Sequence, residues 1–309
     1  MATKPIEDLI CRDFPLDIKN TLDQFAAVIE EAVNFGSHVF GWCVNSVERG
    51  DHFLPVFMSF RHILELTDAI AALIKESCVD PCKILLRSIF ESLLSVEYIL
   101  ENNTEQRGKD FLIWHRHHTL KIYRRHYPKD KAYEKFSELI SKDKLLKDMK
   151  KLEIRDLEER IINLERLLVH PDFIESEKEY QRIEIEKKRV RYWFNMHSGP
   201  NNIYDLALHL KRPAQYETIY KLSSAAAHGT DIIGGKVSRS ETGSEFAQIR
   251  LPNDAQNLSS LTVSFALDLF ALSINYFVKE KLKDFSQWYI SEMREKYNML
   301  GGKEIIIVK

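Results

Sequence analysis

The sequence predicts an all-α fold: a helical bundle with a long charged helical hairpin inserted in it and a small β-hairpin near its C-terminal third. Three observations predict this. Gly and Pro are sparse, 11 and 9 among 309 residues, which suits long helices better than many short strands. Apolar residues recur three and four apart along most of the chain, the helical period. Composition, 44% hydrophobic and 29% charged, is enough to bury a sizeable core beneath a well-solvated surface. The expected organisation is an N-terminal half of the core at 1–129, the charged insertion at 130–198, and a C-terminal half of the core at 199–309.

The first helix is expected over 17–47, where Leu22, Phe25, Ile29 and Val33 keep the period. Gly50 and Asp51 break the pattern, and Pro55 suits the first turn of a second helix over 54–77. Pro81 opens the third, over 81–101, which is rich in apolar residues. There Arg87 and Glu91 are spaced i, i+4 and share a face. A fourth helix over 105–126 ends at Tyr127-Pro128.

From 130 to about 194 charges of both signs alternate densely. A narrow seam of Leu145, Met149, Leu152, Leu157, Ile161, Leu164 and Leu168 runs through them, with a turn at His170-Pro171-Asp172-Phe173. This predicts an antiparallel helical hairpin. Its balanced charge argues for a solvated or partner-binding face rather than a nucleic-acid arm. Residues 196–202 form a loop, followed by short helices over 203–210 and 213–228. Gly234, Gly235 and Gly243 mark a β-hairpin or loop within 229–251. A last, nearly all-apolar helix runs from 255 toward 296, and the tail GGKEIIIVK has β-type residues with no evident partner.

Several function classes are excluded or weakened. A formal charge of −2 exerts no global pull on nucleic acid, so any RNA site must be a local patch. The four cysteines, Cys11, Cys43, Cys78 and Cys82, sit in a chain too large to need disulfide staples and read as reduced thiols of a cytoplasmic protein. Cys78 and Cys82 lack a second ligand pair of zinc-site spacing. The N-terminus has no basic region followed by an apolar one. Asp268, Asn275 and several serines interrupt the most apolar stretch, 258–278, so no membrane span is expected. Walker, GxGxxG, HExxH and GxSxG motifs are missing. No metal or other cofactor is expected.

Two segments carry candidate chemistry. In YETIYKLSSAAAHGTD (216–231) the run Ser223, Ser224, Ala225, Ala226, Ala227 leaves one side of a helix uncrowded. A neighbouring helix, or the same helix of a second copy, could approach closely there. His228 follows at the helix end, beside Gly229. In WHRHHTLKIYRRH (114–126) basic and aromatic residues mix, and Arg116, His118 and Arg124 are candidates to contact RNA phosphates and bases. A plain solvated face is the competing reading.

The blocks LLRSIFESLLSVEYIL (85–100) and IYKLSSAAAHGT (219–230) resemble the bacterial domain of unknown function 5677 family, over most of residues 50–280. The positions implied as functional are Arg87, Glu91, Tyr220, Lys221, Ser224 and His228. That family is in turn similar to the helical HEPN superfamily, many of whose members are metal-independent ribonucleases of toxin and antiphage systems. The usual signature there is Arg, four to six residues, then His. Here Lys221 stands six residues before His228, and Lys lacks the planar fork that grips phosphate.

The resemblance implies a ribonuclease in which His228 is the acid or base, while Lys221 and Arg87 supply positive charge at the phosphorane, beside Glu91 and Ser224. One copy offers one motif histidine, so a homodimer bringing two together is expected. The rival reading is a non-catalytic interaction module whose 130–194 hairpin docks a protein partner.

Overall fold

The computed structural model describes residues 4–301, apart from 8, 47–49, 149–153, 230–232, 235 and 241–242. The tail beyond Gly301, Val47, Met149 and Leu152, Gly235 and the end of the 216–231 segment (Thr230 and Asp231) lie outside the described residues. The fold is all-α, as expected.

Four long helices lead: α1 (Leu16–Ser46), α2 (Leu54–Lys75), α3 (Val79–Glu101) and α4 (Thr104–His126). Pro81 sits in the first turn of α3, where the missing N–H has no carbonyl to serve. Next come α5 (Lys131–Lys142), α6 (Leu157–Leu168) and α7 (Ile174–Lys187), then α8 (Ile203–His209). A broken helical stretch follows: α9 (Pro213–Gln215), a π turn (Tyr216–Tyr220) and α10 (Lys221–Ala227). Strands β1 (Val237–Ser240) and β2 (Gly243–Phe246) pair antiparallel, Val237 opposite Phe246 and Ser240 opposite Gly243. The chain ends with α11 (Ala255–Phe277), α12 (Leu282–Trp288) and α13 (Arg294–Leu300).

The expected single helix over 255–296 is therefore broken. Val278 leaves helical geometry at φ −146°, ψ 56°. The break lets α12 fold back, so that Trp288 stacks on Phe35 with centroids 3.8 Å apart and Phe285 lies 5.9 Å from the same ring. Those aromatic contacts outweigh the continued helical period.

Contacts divide the chain into two compact units. One comprises residues 1–50, 56–101 and 206–309. In it α11 packs on α1, α3 and α13, and α10 packs on α3. Phe25, Phe60, Phe90, Phe265 and Phe270 are fully buried. By length and composition α11 could also cross a membrane; here Val263, Ala266, Leu269, Phe270 and Ile274 are buried within the unit. Gly36 marks a close helix approach, because a Cβ there would come within 2.6 Å of Leu64 and of the Phe270 ring.

The second unit comprises residues 51–55 and 102–205. The expected boundary at 129 thus falls instead at 101, because α4 packs with α5, α6 and α7. Ile113 and Leu120 of α4 share a core with Ile161, Leu168, Phe173, Tyr180 and Ile183. The charged segment is helical, but as three helices against α4 rather than a two-helix hairpin. The seam holds from Leu157 to Leu168, while Leu145 lies outside it, 76% exposed. Buried Asp110 accepts hydrogen bonds from Ser176 (2.6 Å) and Gln106 (2.9 Å), and burial pushes its carboxyl up.

Candidate functional site

The first unit carries a polar cluster centred on Arg87 of α3. Its Nε donates to Glu91 Oε1 at 3.0 Å, one helical turn on. Its Nη2 donates to the Tyr220 hydroxyl at 3.0 Å, and its Nη1 lies 3.2 Å from His228 Nε2. Guanidinium only donates, so the last contact is a hydrogen bond when Nε2 carries its lone pair and Nδ1 the proton. Three of the five guanidinium N–H groups are used in these bonds, leaving two for a ligand.

The helices explain the convergence. Phe90, beside Arg87 in sequence, is fully buried and seats Tyr220 at 6.0 Å and Phe265 at 5.6 Å between ring centroids. The π turn, closed by the Lys221 N–H to the Tyr216 carbonyl, inserts one residue before α10 and so rotates Tyr220 relative to a regular helix. His228 then caps α10, its N–H bonded to the Ser224 carbonyl at 3.0 Å. Gly229 follows at φ 65°, the left-handed turn that ends a helix and favours glycine.

Partial burial works against the Arg87 charge, yet Tyr220 and Glu91 more than offset it and the net shift is upward. Burial, with Glu91 alongside, pushes the Tyr220 phenol up to about 12. The phenol therefore stays protonated at neutral pH. His228 is exposed. The result is a fixed cation beside an accessible imidazole.

Of the residues the sequence singles out, Arg87, Glu91, Tyr220 and His228 come together. Ser224 is half-exposed on α10 and meets His228 through its backbone. Lys221 takes a different partner, its Nζ bonding Glu217 at 2.6 Å on an exposed face. The cation at His228 Nε2 is therefore Arg87, from 141 residues earlier. That relation left no local signal beyond the shared face of Arg87 and Glu91.

The other three candidates belong to the second unit. Arg116 is occupied structurally: its guanidinium lies 4.0 Å over the Phe173 ring and Nη1 donates to the Leu167 carbonyl at 3.4 Å. Arg124 pairs with Glu165 at 2.8 Å and faces Asp130 at 3.7 Å. His118 is exposed and stacks on Trp114 with centroids 5.6 Å apart. Among the described residues, no three His, Cys, Asp or Glu side chains are grouped to hold a metal ion.

Sequence reasoning missed Arg212, at the turn into α9. It donates to Glu97 at 2.6 Å and to Asp268 and Gln215 at 2.9 Å each. Asp268 within an otherwise apolar helix was the available signal, since a carboxylate on a helix that packs in the core calls for a cationic or hydrogen-bonding partner.

A family model described as a family of unknown function (DUF5677) matches residues 53–243, more than half of the chain. The chain belongs to this family. The DUF5677 match takes in Arg87, Glu91, Tyr220 and His228 and stops at 243, short of the 280 expected from the motifs. No curated protein and no solved structure matches the chain.

Proposed function

We propose that this DUF5677 protein is a HEPN-like, metal-independent endoribonuclease of the bacterial cytoplasm, serving defence or a toxin system, with His228 at its reacting centre. The observation that carries the reading is Arg87 Nη1 against His228 Nε2 at 3.2 Å. It supplies at the histidine the planar cation that Lys221 cannot.

In this reading a substrate phosphate draws the Arg87 fork, because charge-assisted bonds to phosphate are stronger than one to neutral imidazole. His228 Nε2 is then free to take the proton of the RNA 2′-hydroxyl as its oxygen bonds to phosphorus. The bond from phosphorus to the 5′-oxygen breaks, and that oxygen takes a proton from the imidazolium of a second copy. Arg87 neutralises the phosphorane charge, while Glu91 and Tyr220 hold the guanidinium in register. A symmetric homodimer through the small-residue face of α10 supplies the second histidine.

The test is cleavage of total RNA and of tRNA with chelator present, wild type beside His228→Ala. Discrete wild-type fragments that vanish in the variant are expected. Intact RNA in both lanes would overturn the reading.

One observation favours a second reading, a docking module. An apolar groove in the second unit is lined by Leu168, Val169, Ile174 and Ile185, with Val169 72% and Ile185 80% exposed. Exposed apolar surface of this kind marks interaction sites. Under it, Val169→Glu with Ile185→Glu abolishes capture of a protein partner, while His228→Ala leaves capture unchanged.

A further inference from the structure

Within the second unit, α7 ends at Lys188 in left-handed geometry, φ 59°. That turn brings the next residues back to α4. Val190 is buried, and its carbonyl accepts from Trp114 Nε1 at 3.3 Å. The basic residues on either side of Val190 are thereby held facing those of α4 across a cleft of about 430 Å³. This volume is in the range of small-molecule sites.

Five cations line the cleft: Lys121 and Arg125 from α4, with Lys188, Arg189 and Arg191 opposite. Among the described residues no carboxylate lines it. Lys121 is partly balanced by Glu184 at 2.6 Å, and Arg191 lies 5.4 Å over the Tyr192 ring. Arg125, Lys188 and Arg189 make no ion pair among the described residues. Other cations of the unit are matched, Arg124 by Glu165 and Arg182 by Glu179 and Glu186. Unmatched cations in a concavity focus positive potential, and they repel one another until an anion arrives.

The remaining lining includes the aromatic side chains of Trp114, His118 and Tyr180, with Ile122 and Val190. Trp114 and His118 are nearly parallel, 15° apart in plane, and the Tyr180 hydroxyl accepts from Lys121 at 3.2 Å beside them. Such a wall stacks a planar base, while the cations take phosphate oxygens. Five charges exceed what a monophosphate needs. We propose that this cleft binds a nucleoside di- or triphosphate, base against Trp114 and phosphates among Arg125, Lys188, Arg189 and Arg191. The site shares no residue with the His228 cluster, and it stands whether or not the chain cuts RNA.

The test is titration calorimetry on the full chain with ATP, ADP, AMP, adenosine and inorganic triphosphate. Lys188→Ala/Arg189→Ala and Trp114→Leu are run beside the wild type. The two cations are exposed, so the double variant folds, and unchanged circular dichroism checks this. Affinity is expected to rise with phosphate number, and the double variant to bind ATP at least about tenfold more weakly. Trp114→Leu is expected to weaken ATP more than inorganic triphosphate. No heat with ATP at millimolar concentration, or equal affinity in the double variant, overturns the site. Triphosphate binding as tightly as ATP overturns the nucleotide assignment. A single-stranded oligonucleotide held at the cleft that ATP cannot displace also overturns it, and makes the cleft an RNA groove.

Discussion

Two arginines tie α3 to later helices of the same unit, and they are finished in opposite ways. Arg212 meets two carboxylates, Glu97 at 2.6 Å and Asp268 at 2.9 Å, plus the Gln215 amide. Arg87 meets one carboxylate, a phenol and an imidazole. Their exposure is alike, 17% for Arg212 and 21% for Arg87. Burial therefore does not distinguish them; charge balance does. Arg212 is fully compensated, so its bonds serve the fold. Arg87 keeps donor capacity toward an exposed histidine, a state that stability alone does not call for and that anion binding uses.

The comparison makes its largest prediction for paired alanine variants. Arg87→Ala should lower RNA cleavage by roughly 10²–10³-fold, the cost of losing a donor to developing negative charge. Its unfolding free energy should fall by only about 1 kcal/mol, since the Tyr220 hydroxyl loses its donor while Glu91 stays hydrated. Arg212→Ala should reverse the pattern. Two carboxylates would face each other without their cation, at a cost of about 2–4 kcal/mol. Equal stability losses in the two variants would show that both arginines are structural.

A smaller effect makes each cluster resemble the other. Asp268→Asn leaves Arg212 with one carboxylate, as Arg87 has. Asp268 is 42% exposed, so screening limits the loss to about 1 kcal/mol in urea titration. Glu91→Gln removes the carboxylate that orients Arg87, and cleavage should fall about tenfold with KM nearly unchanged. A rise in KM alone would mean that Glu91 acts on binding rather than on orientation.

Much of this contrast was legible before the fold was known, and the illegible part has a physical cause. Arg87 and Glu91 sit one turn apart on an apolar helix, so their pairing follows from helical geometry. Gly50, Pro55, Pro81 and Pro128 marked helix ends because glycine and proline act on the backbone locally. The reach of Arg87 to His228 is different. It depends on the packing of α10 on α3 and on a π turn that no local residue pattern announced. Assigning α4 to the core failed for a related reason. Its buried face carries Asp110 and His117 alongside Ile113 and Leu120, and polar residues on a buried face blur the apolar stripe. The cleft went unread because charge over 130–194 balances on average, while the local run Lys187, Lys188, Arg189, Arg191 does not.

The smallest effect isolates the phenol. Tyr220→Phe keeps the ring against Phe90 and removes the hydroxyl that accepts from Arg87 Nη2. Losing one such bond costs about 1 kcal/mol, so a stability change of that size and a few-fold fall in cleavage are expected. The titration gives a sharper readout. Burial and the neighbouring Glu91 hold this phenol near 12 against an ordinary value of 10. A raised value in the folded state means that folding favours the protonated form. Its contribution is then complete below pH 10 and is lost as pH climbs from 10 toward 12. Tyr180 is also held up by burial, so the wild type should show more than one tyrosine titrating late at 295 nm, and Tyr220→Phe should show one fewer. The alkaline decline of stability should flatten in the same variant. A phenol that ionises near 10 would mean that Tyr220 is not buried beside Glu91, and Arg87 would then be held from one side less than the cluster requires.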